Sequence, residues 1–268
     1  MPRPIAPERK PFFSKSRFGL WLRISVWAVA AAGVAFAAKE TNAYLIHDPH
    51  FELACEAAAP NCASLEIRGA VYANRARLQS VFTADFGSSV FHLPLAERRR
   101  HLLAIDWVNT AVISRVWPNR IMVTITERHP VAFAKLAIGN SVRYRLGLVD
   151  QEGVLLSLPP RVRFRLPVAS GITEEQTEPE RRRRVQAMRH LLEDLGPQAA
   201  DVSEVNAANT KDMRVITEID GRAVELWIGD QHFRSRYQHF LSNYAEIRKH
   251  SPDSSVFDLR MDDRISAR

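Results

Sequence analysis

Cysteine is nearly absent from this chain. Cys55 and Cys62 are the whole complement, which excludes a disulfide-built scaffold and a four-thiolate zinc site. The motifs of hydrolytic and phosphoryl chemistry are also missing. There is no G-x-S-x-G nucleophile elbow, no H-E-x-x-H, no P-loop and no S-x-x-K with its partner motifs. Nor is there much excess of one charge sign once the N-terminus is set aside. The formal net charge is +7, but residues 1–38 hold six Lys/Arg and one Glu, a net of +5 that leaves only +2 for the remainder. That balance is not the footprint of a nucleic-acid-binding domain. A succession of alternating segments of about ten residues, as a membrane barrel requires, is lacking too.

What is present is one long apolar run, Phe18 to Ala38, broken only by Arg23. As a helix it rises roughly 30 Å, the thickness of a hydrocarbon core. In lipid only a helix satisfies its own backbone over such a stretch. Arg3, Arg9, Lys10, Lys15 and Arg17 precede it against Glu8 alone, whereas Lys39, Glu40, Asp48 and Glu52 follow. Basic residues stay on the cytoplasmic side. Residues 1–17, with Pro2, Pro4, Pro7 and Pro11, are therefore a cytoplasmic tail, and everything after residue 38 is exported. Arg23 snorkels back to the cytoplasmic headgroups. A cleaved signal peptide is the competing reading, because Ala35-Phe36-Ala37 has the A-x-A form. Both readings export the same region. A soluble-core helix fits poorly, since the run has no polar stripe.

An exported location favours a bridge between Cys55 and Cys62 in a linker spanning 39–62. Closing so short a loop stabilises the fold by about 2–3 kcal/mol in the entropy model. Metal binding by these thiols with nearby His47 and His50 is the weaker alternative. His47-Asp48-Pro49-His50 is the most metal-like cluster in the sequence, and its linker position favours solvated side chains. No metal, cofactor or catalytic residue is expected.

From Ala63 the pattern becomes that of a folded domain. Leu65-Glu66-Ile67 alternates as a strand that stops at Gly69. Asn74 suits the cap of a helix carrying Leu78, Val81 and Phe82, and Pro94 opens a second helix through Ile105. Trp107–Trp117 and Ile121–Thr126 are strands, joined at Pro118-Asn119. The order is strand, helix, helix, strand, strand, with both helices covering one face of a three-stranded sheet.

That order resembles the polypeptide-transport-associated (POTRA) domain. Val108-Asn109-Thr110-Ala111-Val112-Ile113-Ser114-Arg115-Val116-Trp117-Pro118, followed by Val123-Thr124-Ile125-Thr126-Glu127-Arg128-His129-Pro130-Val131-Ala132, is similar to the signature of the bacterial FtsQ/DivIB division family. Its form is V-x-x-A-x-V-x-R-x-x-P, then V-x-I-x-E-x-x-P-V-A. Leu148-Val149-Asp150-Gln151-Glu152-Gly153 resembles the family's L-x-D-x-x-G, Leu166-Pro167 with Gly171 its L-P-x-x-x-G, and Asp258-Leu259-Arg260 its terminal D-L-R. Ala70 replaces the usual Asn after the opening glycine, and Met261 replaces the aromatic often found after D-L-R.

The expected fold class is α+β: a single N-terminal transmembrane helix (18–38), a POTRA domain (63–131), then a mostly antiparallel β domain with helices (132–268). In that last domain Arg143–Val149 and Val154–Leu158 flank a turn. Glu178–Leu195 is helical and stops at Gly196, and Met213–Ile219 with Ala223–Ile228 flank the hairpin signal Asp220-Gly221. Gln231–His250 is a second helix, and a last strand begins at Ser255 and is drawn as far as Ile265. Arg181–Arg184 is a solvated charge run, with phosphate or headgroup binding as its alternative.

The resemblance implies a non-enzymatic, inner-membrane scaffold of the divisome that binds FtsB and FtsL, mainly FtsB, through its last strand. The aligned positions are Arg260, Met261, Asp263, Arg264 and Ile265. Another POTRA-bearing assembly or translocation factor is the alternative, and a cell-wall hydrolase lacks every motif named above. The charge asymmetry makes orientation testable. Alkaline phosphatase fused to the C-terminus is expected to be active and a fluorescent-protein fusion dark. A mature chain beginning near Ala38 would replace the anchor with a cleaved signal.

Overall fold

The computed structural model describes residues 15–54, 62–137, 144–261 and 264–268. Helix α1 (Lys15–His47) continues well past Ala38, so the first part of the expected linker is helical. Residues Trp21–Ile46 are long and apolar enough to cross a membrane, and the apolar part of that stretch is exposed, with Tyr44 and Leu45 near its end contacting the rest of the chain. Polar residues enter the helix after Ala38 without breaking it. Thr41, for example, donates its hydroxyl to the Ala37 carbonyl at 2.8 Å. The helix ends at His47, because Asp48, the residue before Pro49, is driven out of the helical region. Asp48 is extended there, and its carboxylate accepts the His50 N–H at 2.8 Å.

Next come β1 (Leu65–Arg68), α2 (Arg75–Ser80), α3 (Leu95–Leu103), β2 (Val108–Val116) and β3 (Arg120–Glu127), in the expected order, with the sheet ordered β1-β3-β2. Asn74 caps α2 by accepting the Arg77 N–H at 3.2 Å. Leu78, Phe82, Leu102 and Ile105 are buried, although Phe82 and Ile105 lie past the ends of their helices.

The rest of the chain forms β4 (Pro130–Ala137), β5 (Tyr144–Asp150), β6 (Leu155–Leu156), β7 (Val168–Ser170), α4 (Glu178–Leu195), β8 (Val202–Asn206), β9 (Met213–Ile219), β10 (Arg222–Gly229), α5 (Phe233–His250), β11 (Val256–Asp258) and β12 (Ser266–Ala267). The strands make one sheet ordered β12-β11-β10-β9-β8-β7-β4-β5-β6. Parallel pairing is confined to β4–β7, β7–β8 and β10–β11. Val185, Met188 and Leu191 of α4 and Phe233, Tyr237 and Phe240 of α5 cover one face of this sheet.

Two expectations are corrected. The last strand does not run to Ile265. The chain leaves the sheet after Asp258 and returns as β12, antiparallel to β11. The arginine run is a solvated face only in part: Arg183 is exposed and Arg182 lies in surface ion pairs, whereas Arg181 and Arg184 turn inward to backbone carbonyls. Arg181 donates to Gly153 O at 2.7 Å and to Gln176 O, Arg184 donates to Gly171 O, and Arg182 pairs with Glu152 at 2.8 Å.

The described residues divide into two compact units. One draws on the chain up to Glu66 with Ala84–Pro94 and Arg115–Ile121. In it, the loop before α3 is tied to the chain leaving α1: Val90 N–H donates to Phe51 O at 2.8 Å, Gly87 N–H to Leu53 O at 3.1 Å and Ser89 Oγ to Leu45 O at 2.7 Å. Arg115 locks the same loop, donating to the carbonyls of Val90 (2.8 Å), Leu93 (2.7 Å) and Phe91 (3.2 Å).

The other unit holds Ile67–Thr83, Leu95–Ser114 and the chain from Met122 onward. Glu127, buried at the end of β3, accepts the N–H groups of Val71, Tyr72 and Ala73 at 2.7–3.0 Å. Asp150 behaves similarly. It accepts Glu152 N–H at 2.9 Å and Val154 N–H at 2.8 Å on one oxygen and Arg128 Nη1 at 2.8 Å on the other. Gly153 completes that turn with φ +80°, where a Cβ would lie 2.5 Å from Arg182 N. Trp107 is buried and donates Nε1–H to Ser157 O at 2.8 Å.

Glu127→Ala strands three donors at once. Leaving a buried donor unmatched costs about 1–3 kcal/mol, so a loss of at least about 2 kcal/mol is expected, read as a lower urea midpoint at unchanged slope. Glu127→Gln, which swaps an acceptor for a donor in the same cradle, should also destabilise. A midpoint unchanged in both variants would show that water replaces the carboxylate.

Candidate functional site

The C-terminal edge of the large sheet is built on an alternation. Val215, Leu226 and Phe257 are cross-strand neighbours on β9, β10 and β11, and all three are fully buried beneath α5. Phe257 packs there at a tilt against Phe240 at 5.1 Å and meets Tyr244 edge-on at 6.4 Å between ring centroids. The adjacent row must then face the other way. That row is Arg214, Trp227, Asp258 and Ser266, aligned across β9, β10, β11 and β12.

Its chemistry is a closed set of charges around one indole. Arg214 and Arg268 each place a guanidinium about 4 Å from the Trp227 ring centroid (3.9 and 4.0 Å), and Arg260 lies at 5.1 Å. Trp227 donates its indole N–H to Glu225 at 2.9 Å. Arg260 grips Asp258 with two bonds, 2.8 and 2.6 Å, and reaches Asp212 at 3.3 Å, while Arg268 donates to Asp258 at 3.0 Å. These donors, Arg260 first, hold the Asp258 carboxyl down to about 2, and the carboxylates of Asp258 and Asp212 in turn push the Arg260 guanidinium upward.

The expected partner-binding positions fare differently. Arg260 is engaged within its own chain, by Asp258 and Asp212. Met261 is 53% exposed. It lines a cavity of about 300 Å³ with Ser235, Arg236, His239, Leu259 and Ile265. Ile265 is half-buried against the core and Arg264 is exposed. Asp263 lies outside the described residues, as does Cys55 of the expected bridge to Cys62. Trp227, Arg214, Asp212 and Arg268 were missed. Period-two alternation places Trp227 and Glu225 on one strand face, but nothing in sequence says which residues of β9 and β12 lie beside them. Asp48 accepts the ring nitrogen of His50 at 3.0 Å. Among the described residues no group of three or more His, Cys, Asp or Glu is placed to hold a metal ion.

Residues 61–128 match the family model "POTRA domain, FtsQ-type". The chain is 31% identical over 208 residues to a cell division protein FtsQ of Koribacter versatilis, covering 75% of this chain and 58% of that protein. It is 26% identical over 245 residues to the FtsQ of Novosphingobium aromaticivorans, covering 91% and 69%. The chain carries an FtsQ-type POTRA domain and is similar to cell division proteins FtsQ over most of its length. The match thus spans a little over half of one curated relative and about two thirds of another. It combines the POTRA domain with a large β domain and, among the described residues, one N-terminal helix apolar enough for a single membrane pass.

The depressed Asp258 sets a pH dependence. A carboxyl with a folded pKa below its unfolded value near ~3.9 contributes stability that is present above that value. The contribution is lost as pH falls through about 2. Thermal unfolding of the full chain in detergent should therefore weaken between pH ~4 and ~2. Asp258→Asn should lack that step and be less stable at pH 7 by about 1–3 kcal/mol. Identical acid profiles for both proteins would show that the charge set contributes nothing.

Proposed function

We propose that the protein is a non-enzymatic scaffold of the bacterial divisome, anchored in the inner membrane at the division site with its N-terminus cytoplasmic and its POTRA and β domains periplasmic. We further propose that β12 captures FtsB, with FtsL, by accepting a strand from the partner. The observation that supports capture is the outward-facing backbone of Ala267. Arg268 N–H donates to Val256 O at 3.0 Å, and Ser266 pairs with Asp258. In an antiparallel ladder the bonding groups alternate, so Ala267 turns its N–H and C=O away from β11. A partner strand laid against β12 finds a donor and an acceptor there. Exposed Met261 and half-buried Ile265 supply apolar contact beside it, and exposed Arg264 suits an acidic partner.

The test separates the two faces of β12. Ala267→Pro removes only the outward donor, so the fold and membrane insertion should survive while capture of co-expressed FtsB–FtsL in a pull-down weakens about tenfold, the equivalent of one to two backbone hydrogen bonds. Met261→Lys should weaken capture in the same assay by charging the apolar contact. A folded chain ending at Ile265 that still binds with unchanged affinity would place the partner site elsewhere.

A further inference from the structure

The unit that contains α1 carries an aromatic chain that neither the POTRA core nor the partner edge uses. Tyr44, in the last turn of α1, meets Phe51 edge-on at 6.0 Å between centroids. Phe51 meets Trp117 edge-on at 5.7 Å, and Trp117 meets Phe91 at 6.2 Å. Three of these rings are open to the surroundings: Tyr44 is 59% exposed, Trp117 52% and Phe91 42%. Large apolar side chains this exposed and this contiguous mark an interaction surface. They are also held rigidly. Arg115 fixes the Phe91 loop beside the Trp117-Pro118-Asn119 turn through its three carbonyl bonds, and Ser89 ties that loop to Leu45 of α1.

The position of Tyr44 says what covers this surface. The apolar run ends at Ala38, and Lys39 and Glu40 follow at once. Six further helical residues rise about 9 Å, and helical side chains tilt back toward the N-terminus. The Tyr44 ring therefore sits at the level of the headgroup layer, which is roughly 5–8 Å deep outside the hydrocarbon. Phe51, Trp117 and Phe91 continue from it in direct ring contact. Trp and Tyr are the side chains that favour this layer, because each has an apolar body and a polar tip. Arg120, at the far end of the same turn, is exposed and available to lipid phosphates.

We propose that Tyr44, Phe91 and Trp117 form a lipid-docking platform that seats the β2–β3 turn and the loop before α3 in the headgroup layer where α1 leaves the bilayer. The proposal rests on the reading that α1 spans the membrane, and the experiment separates the two. The full chain is placed in nanodiscs of phosphatidylethanolamine and phosphatidylglycerol, with p-benzoylphenylalanine at position 29, 91 or 117. Lipid adducts from all three positions are the expected result. Adducts from position 29 alone overturn the platform and leave the span standing. No adduct from position 29 overturns the span and the platform with it. Native tryptophans give a second measurement should a photoreactive variant fold poorly. In nanodiscs of brominated lipid the quenchable fluorescence of the full chain should drop in Trp117→Phe, and an unchanged quenchable fraction counts against docking.

Discussion

Carboxylates that receive backbone N–H groups hold this molecule together at the points where its elements meet. Glu127 is the deepest of them. Its side chain ends β3 and, in the same place, gathers the three amides that lead from β1 toward α2. Without it those amides would have no partner in the core, and the crossover from strand to helix would lose its fixed path. Asp150 does the same for the β5–β6 turn and adds Arg128 as a counter-charge. Arg115 and Arg181 are the mirror case, in which a guanidinium collects carbonyls that loops leave unpaired. Charged residues in the family's motifs thus serve the backbone, since buried peptide groups cost free energy unless matched.

Much of this was legible in the sequence where the signal is local. Pro179 and Gly196 bracket α4, and the helix begins and ends where those residues place it. Asp220 and Gly221 both take positive φ, which is what the β9–β10 hairpin demands of them. The C-terminal edge was legible only in part. Met261, Asp262, Asp263 and Arg264 contain no glycine or proline, so nothing in composition announces that the strand stops. The break coincides with Arg260 folding back on Asp258, a contact that competes with an extended path. The arginine run misled for a related reason. The carbonyls held by Arg181 and Arg184 belong to Gly153 and Gly171, distant in sequence, and no periodicity reports them.

The Trp227 cluster joins these two observations. Its members come from β9, β10, β11 and the residues that flank β9, β11 and β12, and they become neighbours only through register. Once assembled, the indole, its arginines and Asp258 fix the path of the chain just before and just after the outward-facing Ala267. The charge set therefore positions this edge of the sheet, whereas Met261 and Arg264 stay exposed beside it and Ile265 is half-buried.

Both outer strands of the large sheet are only two residues long, β6 at one margin and β12 at the other. A sheet of nine strands would ordinarily offer two long rows of unmatched amides. Molecules confined to a membrane plane meet each other often, and such rows would invite them to stack edge to edge into fibres. Margins this brief offer too few bonds for a second copy of the same sheet to take hold. Brevity at both margins thus disfavours growth of the sheet from one copy into the next.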